Sequence, residues 1–359
     1  MQPEWTIVAW DPNRAGPELW QAFHVYRRQR AKEHDATNPV TEDAVVEGHM
    51  RKPDVWSIDH RYLARAGDRV VGACTISASK PGSAGYESGK HIMYTNLAVL
   101  EDWQRRGIAS AWLPEMARRM HEHEATVMTL HSSEPSGQAF LDWVGAESKM
   151  VERVSRLYFD QVDWSQLADW EAALAVRAPG TTLELYPDRL PEAFLKEYCP
   201  AREEMMNLMP FEDMEHGRIE IRPEDFEEMY KRLALDESAH HTYISREPDG
   251  RISGITDISW SPKDSGVVHQ WFTGVHPDYR GRGLGKALKA AMLRYANERY
   301  EGLTWVSTGN AASNASMLAI NEAMGFRVHR VYHTYQIGLD ALEAFVADRG
   351  IPPLKLAEG

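Results

Sequence analysis

The chain has 359 residues, 43% hydrophobic and 26% charged, with 12 Trp, 14 Tyr and 9 Phe; at roughly 150 residues per domain this is enough for two apolar cores, which excludes a disordered chain. The formal net charge of −13 excludes a broad nucleic-acid surface, which needs a basic stripe, and reads as acidic solubility before it reads as attraction for a cationic partner. No apolar run approaches the ~20 residues that cross a bilayer, Met1-Gln2-Pro3-Glu4-Trp5 lacks a signal-peptide pattern, and Cys74 and Cys199 are too few for a disulfide framework or zinc cluster; the expectation is a cytoplasmic protein without membrane or nucleic-acid partners.

In chain order, hydrophobic periodicity predicts a strand over 5–10, helices over 17–32 and 41–51, and strands over 55–65, 70–79 and 91–99. A helix over 108–121, a strand over 126–131, a short helix over 136–144 and a strand ending at 159 follow. A connecting helix over 162–178 is stopped by Pro179-Gly180, and the same order begins again at Thr182. There, strands near 243–246 and 252–260 are joined by Glu247-Pro-Asp-Gly250, which has hairpin-turn chemistry. A last helix over 339–348 ends before Ile351-Pro-Pro353.

Two segment types occur twice, one domain length apart. Gln104-Arg-Arg-Gly-Ile-Ala109 and Arg280-Gly-Arg-Gly-Leu-Gly285 each follow an apolar, β-prone run and open a helical pattern, and Gly145-Ala146 and Gly325-Phe326 each close a short helix. In the second copy the glycines permit a tight turn, and the spacing of Leu284, Leu288 and Met292 marks a helix whose first amides lack intrahelical acceptors. Those amides and the positive end of the helix dipole suit a pyrophosphate, with Arg282 and Lys286 adding charge. Neither GxxxxGK[ST] nor GxGxxG is present, so the segment is not a P-loop or a dinucleotide fingerprint.

The pattern [Gln/Arg]-x-x-Gly-x-[Gly/Ala] after Val275-His-Pro277, followed by Asn314-x-x-Met317-x-x-x-Asn321-x-x-x-Gly325-Phe326, resembles the acetyl-CoA signature and second motif of the GNAT superfamily of N-acetyltransferases. The resemblance covers nearly the whole chain as two copies. It implies an α/β fold of the mixed α+β kind: a GNAT-like domain over 1–160 that is degenerate, a linker helix over 161–180, a catalytic GNAT domain over 181–340 and a tail over 341–359. In this family the fourth and fifth strands splay apart and the pantetheine of acetyl-CoA adds to the fourth. Carried to this chain, Thr273, Gly274 and Val275 would pair with that arm, Gly281, Arg282, Gly283, Leu284, Gly285 and Lys286 would hold the diphosphate, and Asn314 would lie near the pantetheine. In the first half Leu97, Ala98, Val99, Arg105, Arg106, Gly107, Ile108, Ala109 and Ser110 occupy the matching positions and would offer a second CoA site, whereas Glu134, Gly137 and Leu141 stand where the second half has Asn314, Met317 and Asn321.

Amine acetylation needs a thioester beside a neutral amine, a proton acceptor and donors for the oxyanion. The family often carries its base on strand four, and counting back from Val275 points to His269, a residue type suited to neutral pH; Met93 stands there in the first half. Gln270, Asp257, His240 and His241 are alternates. Asn321 holds the position where the family often has a tyrosine acid, leaving Tyr332 and Tyr335 on the last strand as distant substitutes. The 15 His show no HExxH and no paired face at His121 and His123, so no metal is expected. Met205, Met206 and Met209 near Phe211 are read as core filler or as part of an acceptor pocket. The expected reaction is acetyl transfer from acetyl-CoA to a primary amine of a small molecule, by a monomer or homodimer. A protein or peptide amine acetyltransferase and a silent CoA-binding module are the alternatives.

Overall fold

The computed structural model describes residues 4–357, so Met1, Gln2 and Pro3 of the opening stretch lie outside it. In chain order the elements are β1 (Thr6–Ala9), α1 (Pro17–Asp35), α2 (Asp43–Arg51), β2 (Ser57–Ala66), β3 (Arg69–Ser79), α3 (Tyr86–Gly89), β4 (Ile92–Val99), α4 (Ile108–Ala111), α5 (Leu113–Glu122), β5 (Val127–Ser132), α6 (Pro135–Val144) and β6 (Glu147–Tyr158). There follow α7 (Trp164–Ala172), α8 (Leu174–Arg177), β7 (Thr182–Tyr186), α9 (Glu192–Met206), α10 (Pro223–Leu233), β8 (Ala239–Arg246), β9 (Ile252–Trp260), β10 (Val267–Val275), α11 (Leu284–Arg299), β11 (Trp305–Ala311), α12 (Ala315–Met324), β12 (Arg327–Gly338) and α13 (Leu339–Asp348). Among the described residues no helix is long and apolar enough to cross a membrane.

The chain forms two compact units that are not contiguous in sequence: 1–150 with 213–218 and 333–359, and 151–212 with 219–332. In the first unit β1, β2, β3 and β4 run antiparallel in succession, β4 pairs β5 in parallel, and β5 pairs antiparallel with the end of β12. The second repeats this with β7, β8, β9 and β10, then a parallel β11, then an antiparallel β6. In each unit the run of strands is therefore completed by one encoded in the other half of the sequence.

Local chemistry explains the element ends. The helix expected over 108–121 is two segments, α4 and α5, because Pro114 has no N–H to continue the ladder and the chain turns at buried Trp112. Asp163 caps α7 by accepting from Gln166 N at 3.0 Å. The Glu247–Gly250 turn closes the expected hairpin with Gly250 at φ 90°, and Glu247 N donates to Arg251 O at 2.9 Å.

The second unit's sheet is covered on both faces. Leu157, Ile258, Val268 and Val306 pack with Leu293 of α11 and with Met324 and Phe326 at the end of α12. On the other face Ile244, Ile255 and Phe272 pack with Leu195 and Tyr198 of α9 and Phe226 of α10. In the first unit α13 closes one side of the core, where Leu342 joins Ile7, Trp112 and Met116.

Candidate active site

β10 pairs β11 only from Val267↔Trp305 to Gln270↔Thr308, whereas its pairing with β9 continues to Val275↔Gly254. A register shift between Gln270 and Phe272 makes Trp271 the extra residue of a bulge. Beyond Gln270 the β11 side of β10 is thus a sheet edge opened inside the fold, and Thr273, Gly274 and Val275 lie on it. Such an edge accepts an extended amide-bearing chain as an added strand. A Cβ on Gly274 would sit 2.4 Å from Cζ of Phe272, so a larger residue there would have to displace that buried ring.

The edge runs directly into a glycine turn. Gly281 has φ 78° and Gly283, the N-cap of α11, φ 84°, a region costly for side-chain-bearing residues. No side chain caps this helix, and its first intrahelical bond is Ala287 N to Gly283 O at 3.1 Å. The amides of Leu284, Gly285 and Lys286 therefore have no acceptor within the helix. Leu284 is buried. Gly285 admits close packing, a Cβ there lying 3.4 Å from Ile320 Cδ1. The cations nearby have partners: Arg282 donates to Glu247 Oε2 and Thr181 Oγ1, both at 2.9 Å, and Lys286 Nζ lies 4.7 Å from the centre of the Trp170 ring. Asn314 is the N-cap of α12, its side-chain oxygen accepting from Met317 N at 3.3 Å. Asn321 is buried and donates to Asn310 Oδ1 at 2.7 Å.

His269 lies in a polar row fixed by register, in which His240, Ser259, His269, Ser307 and Arg156 stand opposite one another on successive strands and share a face. Its Nδ1 is 3.1 Å from Ser307 Oγ, and surrounding protein and then the Arg156 charge draw its pKa down. On the same face Asp257 is buried between Arg202 and His240, and the Trp271 ring lies 5.0 Å from the His240 ring, tilted at 40°. Burial pushes the Asp257 carboxyl up, but the Arg202 charge and the His240 hydrogen bond outweigh it and hold it below the usual range. His241 belongs to the other face: its Nδ1 accepts from Asp188 N at 2.9 Å, its Nε2 is 2.5 Å from Tyr300 Oη, and burial draws its pKa down to about 4. Met205 packs in the core of this unit, and Met206 and Met209 flank it.

One buried residue escaped the sequence reading. Lys289 of α11 is 2% exposed and donates to Gln270 Oε1, while the Gln270 amide nitrogen donates to Thr256 at 2.8 Å and Thr273 at 3.0 Å. The signal was a lone lysine on the otherwise apolar face of a helix.

The first unit has the same split: β4 meets β5 only through Tyr94↔Thr129 but follows β3 to Val99↔Gly72. Here Arg105 has φ 61° and Gly107 φ 81° before the four-residue α4. Along β4, Leu97 borders the core and the Ala98 carbonyl accepts from Tyr26 Oη at 3.0 Å. Arg106 pairs with Glu4 at 3.0 Å and stacks on Trp103, Ile108 is buried, and Ser110 Oγ donates to Gly107 O at 3.0 Å. Met93 is core, and Glu134 pairs with Arg30 at 2.5 Å and His34 at 2.8 Å. Tyr335 is buried in this unit's core. Also here, His60, Glu122 and His123 bring ligand atoms within 4.8 Å of one another, but the two histidines hydrogen-bond at 2.7 Å and Arg119 pairs with Glu122 at 2.7 Å.

The sequence pattern of the acetyltransferase (GNAT) family matches residues 20–141 and 204–326. Over 97 residues the chain is 34% identical to a mycothiol acetyltransferase of Salinispora tropica, covering 26% of this chain and 31% of that protein. Over 84 residues it is 37% identical to one from Clavibacter michiganensis, covering 23% and 26%. These matches thus span less than a third of either relative's length. A tandem GNAT protein from the clavulanic acid biosynthesis pathway has a similar fold, with TM-score 0.74 at 20% identity over 93% of this chain and 98% of that one. A GCN5-related N-acetyltransferase from Sphaerobacter thermophilus follows at TM-score 0.64 and 15% identity, covering 94% and 97%. With a family match in each half, and a split parallel pair leading into a glycine-capped helix in each unit, the chain belongs to the GNAT family of acetyltransferases as two copies in tandem.

Proposed function

We propose that the second unit transfers an acetyl group from acetyl-CoA to a primary amine of a small molecule by direct attack. The observation that carries this is the open edge of β10 from Trp271 to Val275 running into the uncapped start of α11. In this reading the pantetheine pairs with Thr273, Gly274 and Val275, and the amides from Gly281 to Lys286 hold the diphosphate. Arg282 and Lys286 add charge by swinging from Glu247 and Trp170, while Asn314 shapes the start of α12. The thioester supplies the electrophilic carbonyl carbon. His269 takes a proton from the ammonium, nitrogen bonds to that carbon and releases its second proton to water, the C–S bond breaks, and the thiolate is protonated from water, since Asn321 brings no acid. Holding both reactants in one groove supplies most of the acceleration.

The relatives support the acceptor class: a mycothiol acetyltransferase and a clavulanic acid pathway protein both belong to small-molecule chemistry. One observation favours a CoA-binding module without turnover, namely the Asn321–Asn310 amide pair where the family often has a tyrosine. Thiol release from acetyl-CoA with a panel of amines separates the two readings. Calorimetry with CoA tests both: no heat from the wild type, or unchanged heat in Gly283→Asp, would sink them.

A further inference from the structure

One half-buried carboxylate on this face has no partner among the described residues. Glu152 lies on β6, opposite Ala311 of β11, and alternation puts it on the face of Arg156, Ser307 and His269. Its side chain folds back over β11: a Cβ on Gly309 would lie 2.1 Å from Glu152 Oε1. Gly309 is the first residue of β11 beyond Thr308, the last to pair with β10. The carboxylate therefore overhangs the mouth of the split from the strand facing Thr273, Gly274 and Val275.

Among the described residues no hydrogen bond or ion pair engages Glu152, and burial alone raises its pKa. Its neighbours differ. Glu212 accepts from the backbone N–H groups of Val151 at 3.1 Å and Ser313 at 3.2 Å, and Arg156 stacks 4.6 Å from the centre of the Trp305 ring. Asp257 is committed to Arg202 and His240. Of these three acids Glu152 is the one with neither oxygen engaged among the described residues, whereas Asp257 keeps Oδ1 unpaired but has Oδ2 held by Arg202 and His240. A recessed carboxylate without a partner gains most from a ligand cation that replaces the hydration it has lost.

We infer that Glu152 binds the acceptor's ammonium group at the mouth of the split, selecting alkylamines that are cations at neutral pH over aromatic amines that are not. This rests on the acetyl-transfer reading above. His269 keeps the role of proton acceptor, and Glu152 is a specificity residue donated by a strand of the first half of the sequence. Gly309 belongs to the same device, because only a residue without a side chain leaves room for the carboxylate.

The test is steady-state acetyl transfer to glucosamine, ethanolamine and aniline by the full chain, with acetyl-CoA binding followed by calorimetry. Glu152→Gln keeps the shape and removes the charge. The expected result is a KM for the two alkylamines raised about ten- to a hundredfold, the loss of a charged hydrogen bond, with kcat and acetyl-CoA affinity little changed and aniline unaffected. Gly309→Ala has ordinary backbone angles and displaces only the flexible end of Glu152, so it should reproduce the KM rise, and the double variant should be no worse than either single one. Unchanged alkylamine KM values in both variants would overturn the role of Glu152 while leaving acetyl transfer standing. No thiol release by the wild type with any amine would overturn acetyl transfer and this inference together.

Discussion

Oδ2 of Asp257 accepts hydrogen bonds from Arg202 Nη1 at 2.6 Å and from His240 Nε2, 2.9 Å away, and all three residues are buried. An ionised carboxylate inside the protein is tolerable only with such partners, and removing it leaves the Arg202 cation uncompensated. Asp257→Ala should therefore cost about 3–5 kcal/mol of stability, read as a lower urea midpoint at constant slope. The double variant Arg202→Met with Asp257→Leu should recover much of the loss, because no buried charge remains. A single variant as stable as the wild type would show that the pair is not buried in solution.

Lys289 should be a net liability at neutral pH. Burial draws its pKa down to about 7, and its amine meets Gln270 and the Phe326 ring but, among the described residues, no carboxylate. The unfolded chain, with an ordinary lysine, binds more protons than the folded one between about pH 7 and 10.5, so wild-type stability rises with pH across that window. The pKa arithmetic puts the change at about 3–5 kcal/mol. Lys289→Met removes the titrating group, so its advantage in Tm should be largest at pH 7 and shrink towards pH 10.5. A gap independent of pH would mean that the ammonium is not desolvated.

What was legible in the sequence was local: the glycine turn at Gly281 and Gly283, the hairpin at Glu247–Gly250 and the duplication of both motifs each lie in a few adjacent residues. The exchange of β6 and β12 was not, because strand order depends on partners far apart in the chain. Glu152 was invisible for the same reason, its setting being made by Gly309 on a strand more than a hundred residues away. Lys289 could have been seen, since it sits one turn from Gly285 on a face otherwise composed of alanine, leucine and methionine. His269 was found by counting along β10, and the row it occupies emerged only from register across the sheet.

The first unit should bind no CoA, giving one site per chain by calorimetry. Its split resembles the second, but Tyr26 occupies the Ala98 carbonyl, and Glu134 puts a carboxylate where the second unit has the amide of Asn314. A ligand carrying phosphates would meet that charge without the long helix that α11 provides. Glu134 has a structural task instead. The His34 hydrogen bond, aided by Arg30 and opposed by burial, holds its pKa down to about 2. A depressed carboxyl stabilises the fold above its ordinary range and loses that contribution as pH falls towards 2. Because Glu134 is partly exposed, screening limits the effect to about 1–2 kcal/mol. Glu134→Gln should therefore lower Tm at pH 7, with the gap to wild type closing by about pH 2–3. Two CoA sites in the wild type would refute the single-site expectation, and a Tm gap that persists at pH 2–3 would show that the pairing with Arg30 and His34 is not what Glu134 contributes.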